Sequence, residues 1–325
     1  LGRPLTDPFN VDLAVARGAL EQARALAASL PASFVLLDDV QGTARVVLGL
    51  GEEGSAARVE LDLSDFRGPT LDADLSRRDF TVNAIAIPLA DWLRDPGHPR
   101  PLTDPLHGRR ALADRLLIAC FPGTFEDDPV RILRAFRLAV QCDLMMETAL
   151  SELMRRSVQG LGRIAGERIR DELLKSFETD RAGEALQGLH DVGALDVLLP
   201  ELVQGRGVDQ GGFHHLDVLG HQLEAVRQAD QMLKDLIEFS EPLRHALAAY
   251  CAQRLVERRS RKSLIKLGAL LHDVGKPTTR QVHPDGEIWF IGHEHTGAEL
   301  VGPITTRLRL SNREADLVHH LVRHH

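Results

Sequence analysis

Three groups of residues in this 325-residue chain have types and spacings suited to chemistry. The first begins at Asn10-Val-Asp12, inside a run ending Leu13-Ala-Val15 that reads as a short strand. Residues two apart on a strand share a face. Carboxylates at that spacing, joined by a third from a neighbouring strand, can hold two Mg²⁺ ions. Such ions activate an attacking hydroxyl and stabilise the pyrophosphate that leaves a nucleoside triphosphate. Asp62 is the natural third partner. Its segment, Arg58-Val-Glu-Leu-Asp-Leu-Ser, puts Val59, Leu61 and Leu63 on one face and Glu60 and Asp62 on the other. Exposed acids on half-buried strands also occur without any metal. The second group is Arg77, Arg78, Asp79 and Asn83. The two guanidinium groups suit triphosphate oxygens and a ribose hydroxyl, and Asp79 and Asn83 could orient them or accept from the sugar. A surface salt bridge is the plainer alternative. The third group is a set of histidines, fifteen in the chain and concentrated from residue 214 onward.

The elements that must position these groups follow from periodicity. A helical pattern runs from about Gly18 to Leu30. Phe34-Val-Leu-Leu and Ala44 to Leu50 are apolar, β-branched strands separated by a turn at Asp38-Asp-Val-Gln-Gly-Thr. Pro and Gly crowd positions 88 to 108 and predict an irregular connection. From about residue 126 strand signals nearly vanish, and helices are expected over 130 to 140, 167 to 174 and 182 to 198. Asp128-Pro129 looks like a helix start, with Asp as N-cap and Pro at the first helical position. Residues 127, 131 and 134 then share a face while Ile132, Leu133 and Phe136 pack inward. Pro200 and the glycines at 205, 207, 211 and 212 mark a plausible linker. The fold class is α+β: a small α/β head over 1–125, a helical neck and body over 126–204, and a helical domain over 205–325.

Composition sets the limits. The formal charge is -8, with 26% charged and 43% hydrophobic residues, which excludes wholesale disorder and argues against a protein that coats nucleic acid. Five of the cationic residues are Lys and the rest are Arg, the side chain suited to bidentate recognition of phosphates and base edges. A GC-rich genome would produce the same bias. Cys120, Cys142 and Cys251 are widely spaced and show no CxxC pattern, so no disulfide framework is expected. No apolar run approaches membrane-spanning length and no signal peptide is visible, so the chain reads as cytoplasmic, with no membrane partner. It opens on Leu1 and stops within a histidine cluster, and a longer parent chain is expected.

Several strings carry a resemblance. Leu1-Gly-Arg-Pro-Leu-Thr-Asp-Pro-Phe-Asn-Val-Asp-Leu-Ala-Val, then Asp74-Leu-Ser-Arg-Arg-Asp-Phe-Thr-Val-Asn-Ala84, resemble the class II nucleotidyltransferases, the tRNA CCA-adding enzymes and bacterial poly(A) polymerases. Asp104-Pro-Leu-His-Gly108, Asp127-Asp-Pro-Val-Arg-Ile-Leu-Arg-Ala-Phe-Arg137 and Glu167-Arg-Ile-Arg-Asp-Glu-Leu-Leu-Lys175 are similar to further segments of that family. The resemblance implies a polymerase β-like head and template-independent transfer of CMP or AMP from CTP or ATP to the 3' end of tRNA. It implies Mg²⁺ on Asp12 and Asp62, and nucleotide contacts from Arg77, Arg78, Asp79, Asn83, Asp128, Arg131, Arg134 and Arg137. In it, Asp128 and Arg131 pair with the incoming base, so protein stands in for a template. Asn10 stands where the family has its first metal carboxylate, which keeps an oxygen ligand but removes a charge. The family's Gly-Gly-x-Val-Arg-Asp loop falls before Leu1. CCA, CC, A and poly(A) addition share these motifs and are not separated by them.

The histidine segments carry a second resemblance. His221, the pair His272-Asp273 followed by Val-Gly-Lys276, and His293 occur in the order of the HD superfamily of metal-dependent phosphohydrolases. The implied ligands of a divalent transition metal are His221, His272, Asp273 and His293. The implied activity is phosphatase or 2',3'-cyclic phosphodiesterase, with a purely structural metal site as the alternative. A phosphohydrolase whose head only binds RNA is the competing reading of the whole chain. The basic run from Arg254 to Lys262 is either a track for an RNA backbone or a solvated helix face. The oligomeric state stays open.

Overall fold

The structure is a computed structural model and describes residues 9–49, 58–94, 102–212, 215–235, 240–256 and 259–325. It divides into two compact units, Leu1–Arg109 and Arg110–His325.

The first unit is built on strands β1 (Phe9–Val15), β2 (Ala32–Asp38), β3 (Thr43–Gly49) and β4 (Arg58–Asp65), with helix α1 (Ala19–Ser29) after β1. Their order in the sheet is β1-β4-β3-β2. β1 runs parallel to β4, while β3 is antiparallel to both β4 and β2. The turn from β1 into α1 uses Gly18 at φ 84, a left-handed backbone that glycine adopts without steric cost. Asp65 then fastens the helix start, its Oδ1 accepting from the Ala19 amide at 2.8 Å. Ala19 and Ala23 are fully buried and let α1 approach the sheet closely, against Ala44, Val46 and Leu63 with Leu13, Val15, Phe34 and Leu61 around them. One face of the sheet is thereby consumed by the core. Strict alternation sends Asn10, Asp12, Arg45, Glu60 and Asp62 to the other face. Short helices α2 (Leu71–Leu75) and α3 (Leu89–Arg94) follow, and part of the expected irregular connection is therefore helical.

The second unit is mostly helical. Its elements are α4 (Gly108–Ala113), β5 (Leu116–Leu117), α5 (Thr124–Asp127), α6 (Arg131–Cys142), β6 (Met145–Met146), α7 (Thr148–Ser157) and α8 (Gly166–Phe177). Then come α9 (Ala182–Asp191), α10 (Ala194–Leu198), α11 (Pro200–Val203), α12 (Val218–Asp235) and α13 (Glu241–Ala252). The chain closes with β7 (Arg254–Val256), β8 (Arg259–Ser260), α14 (Arg261–Leu271), α15 (Lys276–Thr279), β9 (Gln281–Val282), β10 (Ile288–Trp289), α16 (His293–Arg307) and α17 (Asn312–Arg323). Strands of two or three residues are too short to leave a periodic signal, so these small ladders are absent from the sequence reading. The helix expected over 182 to 198 is broken at Gly193, which sits at φ 81 between α9 and α10. The glycine-rich stretch after Pro200 is hydrogen-bonded into the fold, with the Leu219 amide donating to Gly205 O at 3.2 Å and the Val218 amide to Val208 O at 3.1 Å.

Two buried ion pairs hold the C-terminal helices to the preceding ones. Lys266 on α14 is fully buried, with Nζ 2.5 Å from Asp230 Oδ1 on α12, and Asp230 Oδ2 accepts from the Gly183 amide of α9 at 2.8 Å. Arg259 Nε lies 2.5 Å from Oε1 of the fully buried Glu314, and its Nη1 lies 3.2 Å from Asp171 of α8. No helix among the described residues is long and apolar enough to cross a membrane.

Candidate active site and metal centre

In the first unit the polar face gathers around β4. The parallel ladder pairs Asn10 with Glu60 and Asp12 with Asp62, so both rows lie side by side on one face. Neighbouring strands are about 4.8 Å apart, a separation two carboxylates can span to share a small cation. Asp12 is exposed and Asp62 is half-buried. On the other side of β4 the antiparallel ladder sets Arg45 opposite Asp62. The Arg45 fork takes both oxygens, Nε to Oδ1 at 2.6 Å and Nη2 to Oδ2 at 2.8 Å. Its Nη1 lies 2.9 Å from Oε2 of Glu60, a carboxylate only 2% exposed that also meets Arg58 Nε at 3.1 Å. The bond to Asp62 raises the Arg45 pKa above its ordinary value despite partial burial. Arg45 and Glu60 were not picked as site residues from the sequence; a lone Arg amid Ala and Val on a strand was the available signal.

Arg78 does not reach outward alone. Its Nε and Nη2 contact Oδ2 of Asp74 at 3.1 and 2.8 Å, and the other Asp74 oxygen accepts from the Arg67 amide at 2.9 Å. Asp74 is fully buried and was missed because only its place one turn before Arg78 marks it. Asp79 is also buried. Its Oδ1 accepts from the Phe80 amide at 2.8 Å and from Asn83 Nδ2 at 3.2 Å, so Asp79 orients Asn83. Arg77 and Asn83 are exposed.

In the second unit the expected N-cap at Asp128 is not found. Asp127 ends α5, and Asp128 follows in an extended conformation at φ −149. Helix α6 begins at Arg131 after Val130, with no side chain capping it. Residue 127 therefore does not share a helix with 131 and 134, because the Pro129 ring disfavours helical backbone at the residue before it. The Asp128 side chain is split between two environments. Oδ2 meets Arg168 Nη2 of α8 at 2.6 Å, while Oδ1 is buried with no hydrogen-bond partner. Arg131 is 5% exposed, and its Nη1 donates to Thr124 Oγ1 at 2.8 Å. Ile132, Leu133 and Phe136 pack inward as the periodicity predicts.

Arg134 and Arg137 converge on one carboxylate. Arg134 Nη2 lies 3.2 Å from Glu172 Oε1 and Arg137 Nε 2.7 Å from Glu172 Oε2. Burial pushes the Glu172 carboxyl up, but the pull of Arg134, Arg137 and Lys175 outweighs it and brings the pKa down to about 2. These contacts hold α6 against α8, a task the sequence reading did not assign to the two arginines.

The histidines do assemble. His221 from α12, His272-Asp273 after α14 and His293 from α16 meet around the Asp273 carboxylate, which is 2% exposed. Asp273 Oδ2 lies 3.3 Å from His221 Nε2, 3.0 Å from His272 Nε2 and 2.8 Å from Lys276 Nζ. Asp273 Oδ1 lies 3.3 Å from His293 Nε2 and 3.6 Å from Nε2 of the terminal His325. His325 belongs to the C-terminal histidine tract but was not singled out within it; its place at the end of α17 brings it in. The Nδ1 atoms of His272, His293 and His325 sit 2.8, 2.7 and 2.8 Å from the carbonyl oxygens of Ala269, Phe290 and Val322. A carbonyl only accepts, so each Nδ1 is the donor there and each Nε2 is turned inward toward the carboxylate. Facing Nε2 atoms stand 3.2 Å (His221 and His272) and 3.1 Å (His293 and His325) apart. Imidazole nitrogens and a carboxylate gathered at that range could hold a metal ion, and the two clusters share Asp273. Burial would raise the Asp273 carboxyl, yet His221, His272 and Lys276 hold it well below the usual range. Burial pulls the His325 imidazole down, toward the neutral, ligating form. Gly275 is required here, because a Cβ on it would stand 2.2 Å from His293 O.

Residues 6–118 match the poly A polymerase head domain, 143–204 the probable RNA and SrmB-binding site of polymerase A, and 218–325 the HD domain. The chain is 36% identical over 309 residues to an A-adding tRNA nucleotidyltransferase of Deinococcus radiodurans, covering 93% of this chain and 61% of that protein. It is 33% identical over 280 residues to a CC-adding tRNA nucleotidyltransferase of Geobacter sulfurreducens, covering 85% and 57%. A solved tRNA-processing enzyme shares the fold with a TM-score of 0.61 at 19% identity, over 97% of this chain and 70% of that one. The chain belongs to the class II nucleotidyltransferase family of CCA-adding enzymes and poly(A) polymerases, with a C-terminal HD domain. It spans about three fifths of the length of these curated relatives. Domains of both kinds use divalent metals.

The Glu172 cluster makes stability depend on acid. Its folded pKa of about 2 lies below the ordinary 4.5, so its contribution is complete above pH 4.5 and is lost as pH falls toward 2. The shift corresponds to about 3 kcal/mol at most. Urea midpoints measured between pH 6 and pH 3 should fall less steeply in Glu172→Gln than in the parent. Parallel acid limbs would show that the carboxylate is not held this way.

Proposed function

We propose that the protein adds CMP or AMP, from CTP or ATP, to the 3' end of tRNA. The observation that carries this is the register pairing of Asp12 with Asp62 on the open face of the head sheet, within a domain of the matching family. Asp12 and Asp62, with the amide oxygen of Asn10, are the groups suited to hold Mg²⁺. A metal held there would lower the pKa of the RNA 3' hydroxyl and neutralise charge on the departing pyrophosphate. Arg77 and Arg78 bind the triphosphate, Arg78 being aimed by Asp74. Asn83, oriented by Asp79, accepts or donates at the sugar. The hydroxyl attacks the α-phosphate in line, and these side chains supply position and charge rather than covalent chemistry.

Asp128 and Arg131 are the residues proposed to choose the base. The unpartnered Asp128 Oδ1 supports this, because a buried acceptor left empty costs about 1–3 kcal/mol unless a ligand donor fills it. The amino groups of cytosine and adenine are such donors. Arg134 and Arg137, engaged with Glu172, act by fixing α6 behind Arg131 rather than by contacting nucleotide directly. Addition to tRNA is favoured over poly(A) synthesis because the similar curated proteins are named tRNA nucleotidyltransferases. Among CCA, CC and A addition the geometry is neutral.

A second activity rests on the histidine centre. His221, His272, Asp273, His293 and His325 would hold divalent transition metal, and Lys276, 2.8 Å from Asp273 Oδ2, would place a positive charge beside it. Such a centre suits phosphate-ester hydrolysis, including 2',3'-cyclic ends of RNA.

The protein, supplied with Mg²⁺, CTP or ATP and tRNA shortened by one, two or three 3' nucleotides, should extend at least one of these substrates. Asp12→Ala should reduce that transfer at least a thousandfold while leaving the melting profile intact, and normal transfer by this variant would overturn the metal assignment. Asp128→Ser should lose roughly tenfold or more in preference between cytosine or adenine and the other bases; an unchanged preference would remove Asp128 from base choice.

Purified protein should carry a transition metal, measured by elemental analysis, which His272→Ala combined with Asp273→Ala removes. Metal-free parent protein after reconstitution with Mn²⁺ or Zn²⁺ would contradict the assignment.

A further inference from the structure

Arg45 lies across from Asp62 on β3 while Asp12 lies across from it on β1. Asp62 is thus flanked, on one face, by a cation and a carboxylate. The Arg45 fork covers both Asp62 oxygens at 2.6 and 2.8 Å, and its third nitrogen is fixed by buried Glu60 at 2.9 Å. Glu60 is fixed in turn by Arg58. Arg45 is therefore not a swinging surface side chain, because three of its nitrogens are spoken for and it is only 24% exposed.

We infer that Arg45 is a built-in counter-cation of the head's carboxylate face, which holds Asp62 in place and raises the divalent-metal concentration needed to load it. This rests on the reading of Asp12 and Asp62 as metal ligands. A carboxylate has about four lone-pair positions, and Arg45 occupies two of them on Asp62. A divalent cation taking Asp62 as a ligand must share its remaining lone pairs or push the fork partly aside. It also meets the guanidinium charge across one carboxylate, a repulsion that lowers affinity on the order of tenfold even with water-like screening. Asn10 sharpens this effect. Among the described residues, Asp12, Glu60 and Asp62 bring three negative charges to the face while Arg45 and Arg58 bring two positive ones, so a neutral Asn10 leaves these five nearly balanced. A nucleoside triphosphate restores attraction for the metal, because its own negative charge offsets the guanidinium. Metal and nucleotide then load the head together rather than metal alone.

The test is Mn²⁺ binding to the full chain, followed by the paramagnetic resonance signal of free Mn²⁺, without nucleotide. His272→Ala and Asp273→Ala are present in every sample so that the histidine centre does not contribute. Arg45→Gln should bind Mn²⁺ about tenfold more tightly than the Arg45 protein. Arg45→Lys keeps the charge but loses the fork, and should fall between them. Arg45→Lys also serves if loss of the Glu60 contact unfolds the Gln variant. Affinity that is unchanged or weaker in the folded variants overturns the counter-cation role. Adding Asp12→Asn to each protein separates the underlying reading: if head Mn²⁺ binding is insensitive to Asp12 throughout, the metal site itself is misplaced.

Discussion

The parallel pairing of β1 with β4, in register from Phe9–Val59 to Val15–Asp65, is the constraint on which the head depends. A strand has a period of two, so a slip of one residue would turn Asp12 into the core and Leu13 out of it. The slip is prevented by the other face, where Leu13, Val15, Leu61 and Leu63 are committed to α1. Apolar burial therefore sets the carboxylate geometry, although no apolar residue touches the site. Asp65 adds a polar lock at the end of β4 by holding the first amide of α1. From that register follow the side-by-side Asp12 and Asp62, and the position of Arg45 on the far flank.

The second unit solves a different problem, that of holding charged groups inside a helical stack. Each buried charge there has a partner from another element: Lys266 with Asp230, Arg259 with Glu314, and Glu172 with Arg134 and Arg137. Removing one partner from such a pair strands the other and costs about 3–5 kcal/mol, so these contacts fix how helices meet even where their net stabilisation is small. The Asp128 side chain is the exception in kind. One oxygen is tied to Arg168 and the other is left buried and empty, an arrangement that stabilises nothing by itself and suits a group waiting for a donor. The histidine centre is likewise assembled from α12, α14, α16 and α17, with backbone carbonyls choosing the tautomers.

Much of this was legible in the residues. Alternation from Arg58 to Ser64 placed Asp62 on a polar face, and the order of His221, His272-Asp273 and His293 marked a centre that the fold brings together. What stayed hidden depends on partners distant in sequence. Glu60 reads as a solvated strand residue until Arg45 and Arg58 cover it. Arg134 and Arg137 read as nucleotide ligands, and their clamp on Glu172, on another helix, is visible only in the fold. Asp128 carried the local signature of a helix cap, but one of its oxygens is taken by Arg168 from another helix and the other caps no amide, which composition alone does not reveal. His325 needed α17 to bring it back to Asp273.

The most direct measurement of the central claim is anomalous X-ray scattering from crystals soaked in Mn²⁺ with a non-hydrolysable CTP or ATP analogue. The account expects a peak on the open face of the head sheet, bridging the Asp12 and Asp62 carboxylates, with the Arg45 fork moved off at least one Asp62 oxygen. Peaks confined to the histidines around Asp273, with Asp62 still fully held by Arg45 and the analogue bound elsewhere, would contradict it.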